Sequence, residues 1–250
     1  MKQANFHIGT SSYTNGEWQG VFYPQDLARG KWFEYYCEHF DTYEINSTFY
    51  KNPTVRTMQN WYKKAPGGFR FSVKAPKAIT HEKKFVDCIA ELDSFYEVTS
   101  EALGDKLACI LFQLPPSFDF TSDRLDRIIE SLNTNFTNVI EFRNRSWWAD
   151  EVGNIFKQNQ LPFCNVSYPG LPDAVVSTSD VAYVRLHGDQ RLFYSGYDYD
   201  YLKQMYLRLK ADNCKDIFIY FNNTANVEGI RNAVLMQKIV SEEDAPPLIH

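Results

Sequence analysis

The sequence has few features of an exported, membrane-bound or metal-clustered protein. Its five cysteines are scattered and form no C-x-x-C pair, which argues against a disulfide framework and a zinc knuckle. No apolar run approaches the roughly 20 residues that cross a bilayer, and residues 1–5 lack an apolar signal core. We therefore expect a cytoplasmic protein with reduced thiols that does not bind membranes. The sequence requires no cofactor.

The chain also lacks an excess of positive charge. It has 26 basic and 31 acidic residues, a net charge of -5, so no broad electrostatic field would attract nucleic acid. An anion site would have to be local. With 250 residues and 44% hydrophobic content, the chain has the usual size of one α/β barrel domain. We expect residues 1–250 to form a single domain that ends in a flexible, acidic and proline-containing tail over residues 241–250.

Eight β-rich segments alternate with segments of helical spacing. The strands are predicted over residues 5–10, 42–48, 70–74, 107–113, 138–143, 162–166, 181–187 and 216–222. Seven helices are predicted near 32–40, 55–62, 85–96, 125–132, 152–156, 202–209 and 227–234, with an irregular loop over 167–180. This alternation predicts parallel strands and a single (β/α)₈ TIM-like barrel. An open doubly wound sheet is the alternative, although no glycine-rich phosphate loop supports it.

Polar side chains recur at the predicted C-terminal ends of the strands, where barrels hold their ligands. Because strand side chains alternate with a period of two, Glu44, Asn46 and Thr48 share one face of the second strand. The same phase on later strands predicts a polar set that points inward at one end of the barrel, consisting of Ser72, Lys74, Gln113, Glu141, Arg143, Arg185, His187 and Asn222.

The charges in this set favour an anionic ligand. Three fixed cations, Lys74, Arg143 and Arg185, face two carboxylates, Glu44 and Glu141. Arginine binds carboxylate and phosphate groups with a planar fork, so a small anionic molecule is the predicted partner. In the alternative, both arginines pair internally with both carboxylates in a closed network that holds no ligand.

Three of these residues are predicted to carry chemistry. Glu44 or Glu141 would act as a general base with His187 as its acid partner, while Lys74 or an arginine would stabilise negative charge. These same three are the only ready metal ligands, too few for a polynuclear centre, so no metal site is predicted. The other histidines are assigned to the surface or to packing: His7, His39, His81 and His250.

Several uncommon strings resemble the family called domain of unknown function 72, or YecE-like, in order along nearly the whole chain. They are Gly9–Tyr13, Gly20–Pro24, Glu44–Tyr50, Gly68–Lys74, Gln113–Pro116, Glu141–Arg143 with Ser146-Trp147, Arg185–Gly188 and Tyr220–Thr224. The resemblance implies a TIM-like barrel whose motif residues line its C-terminal mouth, which adds Tyr13, Tyr50, Trp147 and Asn223 to the expected binding residues. Ser12 and Asp189 stand where the family commonly has Gly and Arg, and Arg191 is a candidate replacement for that arginine.

Three functional classes follow from these features. The first is an enzyme of the hydrolase, lyase or isomerase type that acts on a small anionic substrate. The second is a nucleic-acid-binding or nucleic-acid-processing barrel, in which the three cations hold phosphates and bases stack on aromatic residues such as Tyr13, Trp18, Tyr50 or Trp147. The third is a binding or regulatory module without turnover.

Overall fold

A computed structural model describes residues 4–51, 53–212 and 214–244. All eight predicted strands are present in it. Four of them end earlier than predicted. The second and fifth end at Ile45 and Glu141, because the chain turns away soon after these residues, and the seventh and eighth end one residue early, at Leu186 and Phe221. The strands are β1 Asn5–Thr10, β2 Thr42–Ile45, β3 Arg70–Lys74, β4 Leu107–Gln113, β5 Asn138–Glu141, β6 Cys164–Ser167, β7 Val181–Leu186 and β8 Asp216–Phe221.

The predicted helices are also present in the described residues. They are α1 Trp32–His39, α2 Val55–Lys64, α3 Ile89–Leu103, α4 Ser122–Ser131, α5 Asp150–Gln158, α6 Tyr199–Ala211 and α7 Glu228–Glu243. Helix α2 starts at the Thr54 cap, whose side chain accepts a hydrogen bond from the Thr57 N–H. None of the helices in the described ranges is long and apolar enough to cross a membrane.

The C-terminal tail requires a correction. Helix α7 continues to Glu243, so residues 241–243 are helical and not part of a flexible tail. The apolar side of α7, which includes Ile230, Met236 and Ile239, is buried in the core, and this packing extends the helix beyond the predicted end near residue 234. The remaining tail residues, 245–250, lie outside the described part of the chain.

The strands pair in parallel, which confirms the α/β class, but they form two sheets. One sheet has the order β1-β8-β7-β6 and the other has the order β2-β3-β4-β5. Ladder hydrogen bonds therefore do not join the eight strands into the one closed sheet that the barrel prediction required. Between β5 and β6 there is a single bridge, Ile140 with Phe163, because β6 starts only at Cys164.

A tyrosine hydroxyl occupies the seam between β1 and β2. The Tyr36 hydroxyl accepts a hydrogen bond from the Thr10 N–H at 2.8 Å and donates one to the Thr42 carbonyl at 3.0 Å. Gly9 permits the close approach, since a Cβ there would lie 2.3 Å from the Thr42 carbonyl oxygen. The seam is thus held by a side chain from α1 in place of ladder hydrogen bonds.

Side chains from the two sheets meet in a buried interior. The Tyr220 hydroxyl on β8 lies 2.5 Å from the Thr42 hydroxyl on β2 and 2.9 Å from the Ser72 hydroxyl on β3. Tyr183 and Phe218 pack in the same enclosed cluster as Leu111, which fixes the distance between the sheets. The C-terminal ends of strands from both sheets consequently surround one common space.

Tyr36→Phe should lower the free energy of unfolding by about 1–3 kcal/mol, because it leaves the buried Thr10 N–H and Thr42 carbonyl without their partner. Urea unfolding followed by circular dichroism measures this loss. Tyr35→Phe is the matched control, since the Tyr35 hydroxyl has no hydrogen-bond partner in the described residues. Equal stability of the two variants would contradict the role assigned to the Tyr36 hydroxyl.

Candidate functional site

A cavity of about 470 Å³ opens at the C-terminal ends of the strands. This volume falls within the range of small-molecule sites. Strand ends and the loops that follow them supply its wall. Of the predicted binding residues, those that line the cavity are Asn46, Tyr50, Lys74, Gln113, Arg143, Arg185 and Asn222.

Arg185 is the centre of a buried charge network beneath this cavity. Its Nη2 donates to Glu44 Oε1 at 2.7 Å and its Nε to Glu44 Oε2 at 2.9 Å, while Nη1 donates to Glu141 Oε2 at 2.6 Å. The Tyr183 hydroxyl adds a hydrogen bond to Glu44 Oε2 at 2.6 Å. Both carboxylates are fully buried, and neither lines the cavity. The internal pairing considered from the sequence is therefore formed around Arg185.

Arg143 and His187 extend the network. Arg143 Nε donates to Glu141, and its Nη2 lies 3.0 Å from His187 Nε2. A guanidinium only donates, so His187 Nε2 accepts and the ring proton is on Nδ1. Nδ1 lies 2.6 Å from the side-chain amide of Asn222, which must present its oxygen to accept that proton. Asn222 also lines the cavity.

The pKa values of two of the three residues predicted to be catalytic are shifted away from neutral pH. Burial raises the pKa of the Glu141 carboxyl, but the guanidinium groups of Arg143 and Arg185 outweigh it and hold that pKa well below its usual value. Burial and the charge of Arg143 hold the pKa of His187 well below its usual value. Both residues and Glu44 are fully buried and do not line the cavity.

Lys74 is different because it faces the cavity without a carboxylate partner. Its Nζ donates to Gln113 Oε1 at 2.9 Å and lies 3.9 Å from the centre of the Phe49 ring. Burial, and next the charge of Arg185, lower the pKa of Lys74 to about 7, although the carboxylates of the network act in the opposite direction. The sequence marked Lys74 as a fixed cation, whereas in the structure it changes charge near neutral pH.

Two of the predicted binding residues do not line the cavity, because each lies beyond the end of its strand. Thr48 lies in a short 3₁₀ turn after β2, where its hydroxyl donates to the Lys74 carbonyl at 2.5 Å. The alternation that placed it beside Glu44 therefore does not apply. Asn223 is buried, and its amide donates to the Ser195 carbonyl at 2.9 Å.

Two predicted aromatic residues also lie outside the cavity lining. Tyr13 packs 5.0 Å from the Phe33 ring and accepts a hydrogen bond from the Trp61 indole at 3.1 Å. Trp147 is fully buried and stacks on Phe142 with 3.9 Å between ring centres. Both side chains pack against other aromatic rings. The family strings therefore contain packing residues as well as residues that line the cavity.

Sequence reasoning missed several residues that line the cavity, of which His81 matters most for chemistry. It was assigned to the surface or to packing, but it lies on the cavity wall, and burial together with the charge of Lys74 lowers its pKa to about 4. No local pattern marks it, because it reaches the site from a π-helical turn after β3. Phe49 belongs to the family string Glu44–Tyr50 and also lines the cavity, although it is not among the predicted binding residues. The others are Ser11, Pro116, Tyr168, Leu192 and Phe193.

The described residues contain no cluster of side chains that could bind a metal ion. Within the described ranges, no three side chains of His, Cys, Asp or Glu come together as a metal site would need. All five cysteines have free thiols, and the pKa of Cys164, nearest to Glu141, is raised well above its usual value by burial. A thiolate nucleophile is therefore not favoured.

Comparisons with known proteins agree over nearly the whole chain. A family model described as "Protein of unknown function DUF72" matches residues 7–249. The UPF0759 protein YunF of Bacillus subtilis is 27% identical over 88% of this chain and 90% of its own length. A crystal structure of a DUF72 family protein from Thermotoga maritima superimposes with a TM-score of 0.86 at 25% identity, covering 95% of this chain and 99% of that one. A DUF72 family protein from Enterococcus faecalis gives a TM-score of 0.83 at 19% identity, covering 94% and 95%.

The stability of the wild-type protein should depend on pH in a way that Lys74→Met removes. The pKa of Lys74 is about 7 in the folded protein and 10.5 for an ordinary lysine, so between these values the unfolded chain binds a proton that the folded protein does not. The free energy of unfolding should rise by about 2 kcal/mol between about pH 7 and pH 9, relative to Lys74→Met.

Urea unfolding of both proteins at the two pH values measures this difference. Lys77→Met is the control, because Lys77 is exposed and pairs with Glu82 outside the cavity. It should follow the wild type. An unchanged pH dependence in Lys74→Met would contradict the assignment.

Proposed function

This chain belongs to the DUF72 family, whose name assigns no reaction, and we propose that it binds and converts a small carboxylate- or phosphate-bearing molecule in the cavity at the strand ends. The observation that carries the proposal is the charge imbalance there. The carboxylates Glu44 and Glu141 pair with Arg143 and Arg185. Lys74 lines the same cavity without a carboxylate partner in the described residues, so it leaves one unpaired positive charge when it carries its proton. An anionic ligand would neutralise the remaining charge.

Hydrogen-bond donors at the cavity support the same ligand class. Arg143 uses Nε and Nη2 within the network, while its Nη1 has no hydrogen-bond partner in the described residues. Its guanidinium also lies over the Tyr168 ring at 4.1 Å, which holds the group in place. Asn222, a neutral polar residue, lines the same cavity. A carboxylate or phosphate fits this combination of fixed donors.

The proposed chemistry is proton transfer by Lys74. A group whose pKa is about 7 can accept and return a proton at neutral pH, which is the condition for efficient acid/base catalysis. Glu44, Glu141 and His187 would support this role by fixing the arginines. We therefore favour a lyase or isomerase type of reaction over hydrolysis.

The nucleic-acid alternative has less support. Its stacking residues would have to be accessible, but Trp18 and Trp147 are fully buried and Tyr13 packs among other aromatic rings. Tyr50 alone among the four is widely exposed, at 78%. A single exposed stacking side chain at the cavity suits a small ligand better than a nucleic-acid strand.

The scaffold that we propose for this site is a (β/α)₈ barrel. The Tyr36 hydroxyl connects β1 with β2, and the bridge at Ile140 connects β5 with β6, so the two sheets adjoin at both seams. Side chains of both sheets fill the space between them, as expected of a barrel interior. Free thiols at all five cysteines support the cytoplasmic location that we propose.

Anionic ligands should raise the melting temperature of the wild type more at about pH 6 than at about pH 8, because Lys74 then carries its proton. The probes are inorganic phosphate, pyruvate, glycolaldehyde phosphate and a short single-stranded DNA. In Lys74→Met the affinity of the small anions should fall about tenfold, which is about 1.4 kcal/mol, whereas Lys77→Met should bind as the wild type does.

Isothermal titration calorimetry then gives the affinities and their salt dependence. Binding of DNA alone, with a steep dependence on salt, would favour the nucleic-acid alternative. If none of the small anions bound to the wild type, the proposed function would be wrong.

A further inference from the structure

The amine of Lys74 has the surroundings of a nucleophile as well as those of a proton carrier. It faces the cavity at the strand ends, and its only hydrogen-bond partner in the described residues is the neutral amide of Gln113. All carboxylate oxygens near it are occupied by arginines, and none forms an ion pair with Nζ. A lysine that is desolvated beside other cations keeps a free electron pair on nitrogen, which is how amine nucleophiles are activated in proteins.

We propose that Lys74 forms a Schiff base with the carbonyl group of an aldehyde or ketone that also bears a carboxylate or phosphate. This inference rests on the proposed function, because the anionic group is what holds the substrate in the cavity. It narrows the substrate class from any small anion to an anionic carbonyl compound.

The covalent step requires no cofactor, oxidant or reductant. The nitrogen of the neutral amine attacks the carbonyl carbon, and a proton moves from nitrogen to oxygen to give a carbinolamine. The C–O bond then breaks with protonation of the departing oxygen by solvent at the cavity mouth, and one water molecule leaves. The resulting iminium carries one positive charge, as the lysine ammonium does, and it weakens the bonds on the carbon next to the former carbonyl.

Arg143 is placed to hold the anionic group of such a substrate. Its Nε and Nη2 are fixed by Glu141 and by His187, and its face is covered by Tyr168, so Nη1 is the group left for a ligand. Both Arg143 and Lys74 line the same cavity. A small molecule with an anionic group and a carbonyl group can therefore meet a donor and a nucleophile at once.

His81 offers a polar ring atom on the same wall. Its Nδ1 lies 2.9 Å from the Thr80 hydroxyl, whereas its Nε2 has no hydrogen-bond partner in the described residues. The imidazole is neutral at neutral pH, because burial and the charge of Lys74 lower its pKa to about 4. Nε2 can therefore form a hydrogen bond with a hydroxyl group of the carbinolamine or of the substrate.

Reductive trapping tests the proposal. Wild type, Lys74→Met and Lys77→Met are incubated at neutral pH with glycolaldehyde phosphate and sodium cyanoborohydride, which reduces the iminium to a stable secondary amine. Peptide mass spectrometry then locates the modified lysines. Glycolaldehyde, which lacks the phosphate, is the matched probe without the anion.

Lys74 should be modified about tenfold faster than the exposed lysines, because a larger fraction of its amine is neutral and because the bound phosphate holds the carbonyl group beside it. The phosphate-free probe lacks the second contribution, so its preference for Lys74 should be smaller. Lys77→Met should keep the selective modification, and Lys74→Met should lack it. If glycolaldehyde phosphate raises the melting temperature of the wild type but Lys74 is not modified selectively, the Schiff base is wrong and the anion site stands. If the probe neither binds nor modifies Lys74, both proposals fail.

Discussion

The Arg185 guanidinium is the group on which both the architecture and the site depend. It extends from β7 in one sheet and binds Glu44 on β2 and Glu141 on β5 in the other, with donor–acceptor distances of 2.6 to 3.1 Å. All three side chains are almost completely buried. Such a triad loses much hydration free energy, so its value lies less in net stability than in fixing one arrangement of strands. Any shift of one sheet against the other would leave a buried charge without its partner.

The same interaction determines the character of the cavity. Glu44 and Glu141 form their ion pairs with arginines and none with Lys74. Burial and the nearby positive charges therefore outweigh the two carboxylates and lower the pKa of Lys74. His187 is constrained in turn, since the fixed donor on Arg143 selects its tautomer. Glu44 and Glu141 thus lie behind the cavity wall, whereas Lys74 lies on it. The reactivity that we propose for the cavity depends on how these charges are paired.

Sequence patterns predicted the strands and half of the residues that line the cavity, because these depend on local periodicity. Strands β1, β3 and β4 begin and end where predicted, and seven of the expected binding residues line the cavity. The prediction failed where backbone geometry changes after a strand, as at Thr48, whose turn breaks the alternation. It also failed for contacts between distant segments. The Tyr36 hydroxyl in the β1–β2 seam, the position of His81 and the low pKa of Lys74 all depend on three-dimensional surroundings that a linear pattern does not contain.

The charge state of Lys74 is the central claim, and carbon-13 NMR of the lysine Cε positions measures it directly. In protein labelled at lysine, one Cε resonance that is missing from Lys74→Met should titrate with a midpoint near pH 7. Retention of that resonance in Lys77→Met would assign it to the cavity. If every lysine resonance instead titrated near the ordinary value of about 10.4, Lys74 would be a permanent cation at neutral pH, and it could serve neither as a proton carrier nor as a nucleophile.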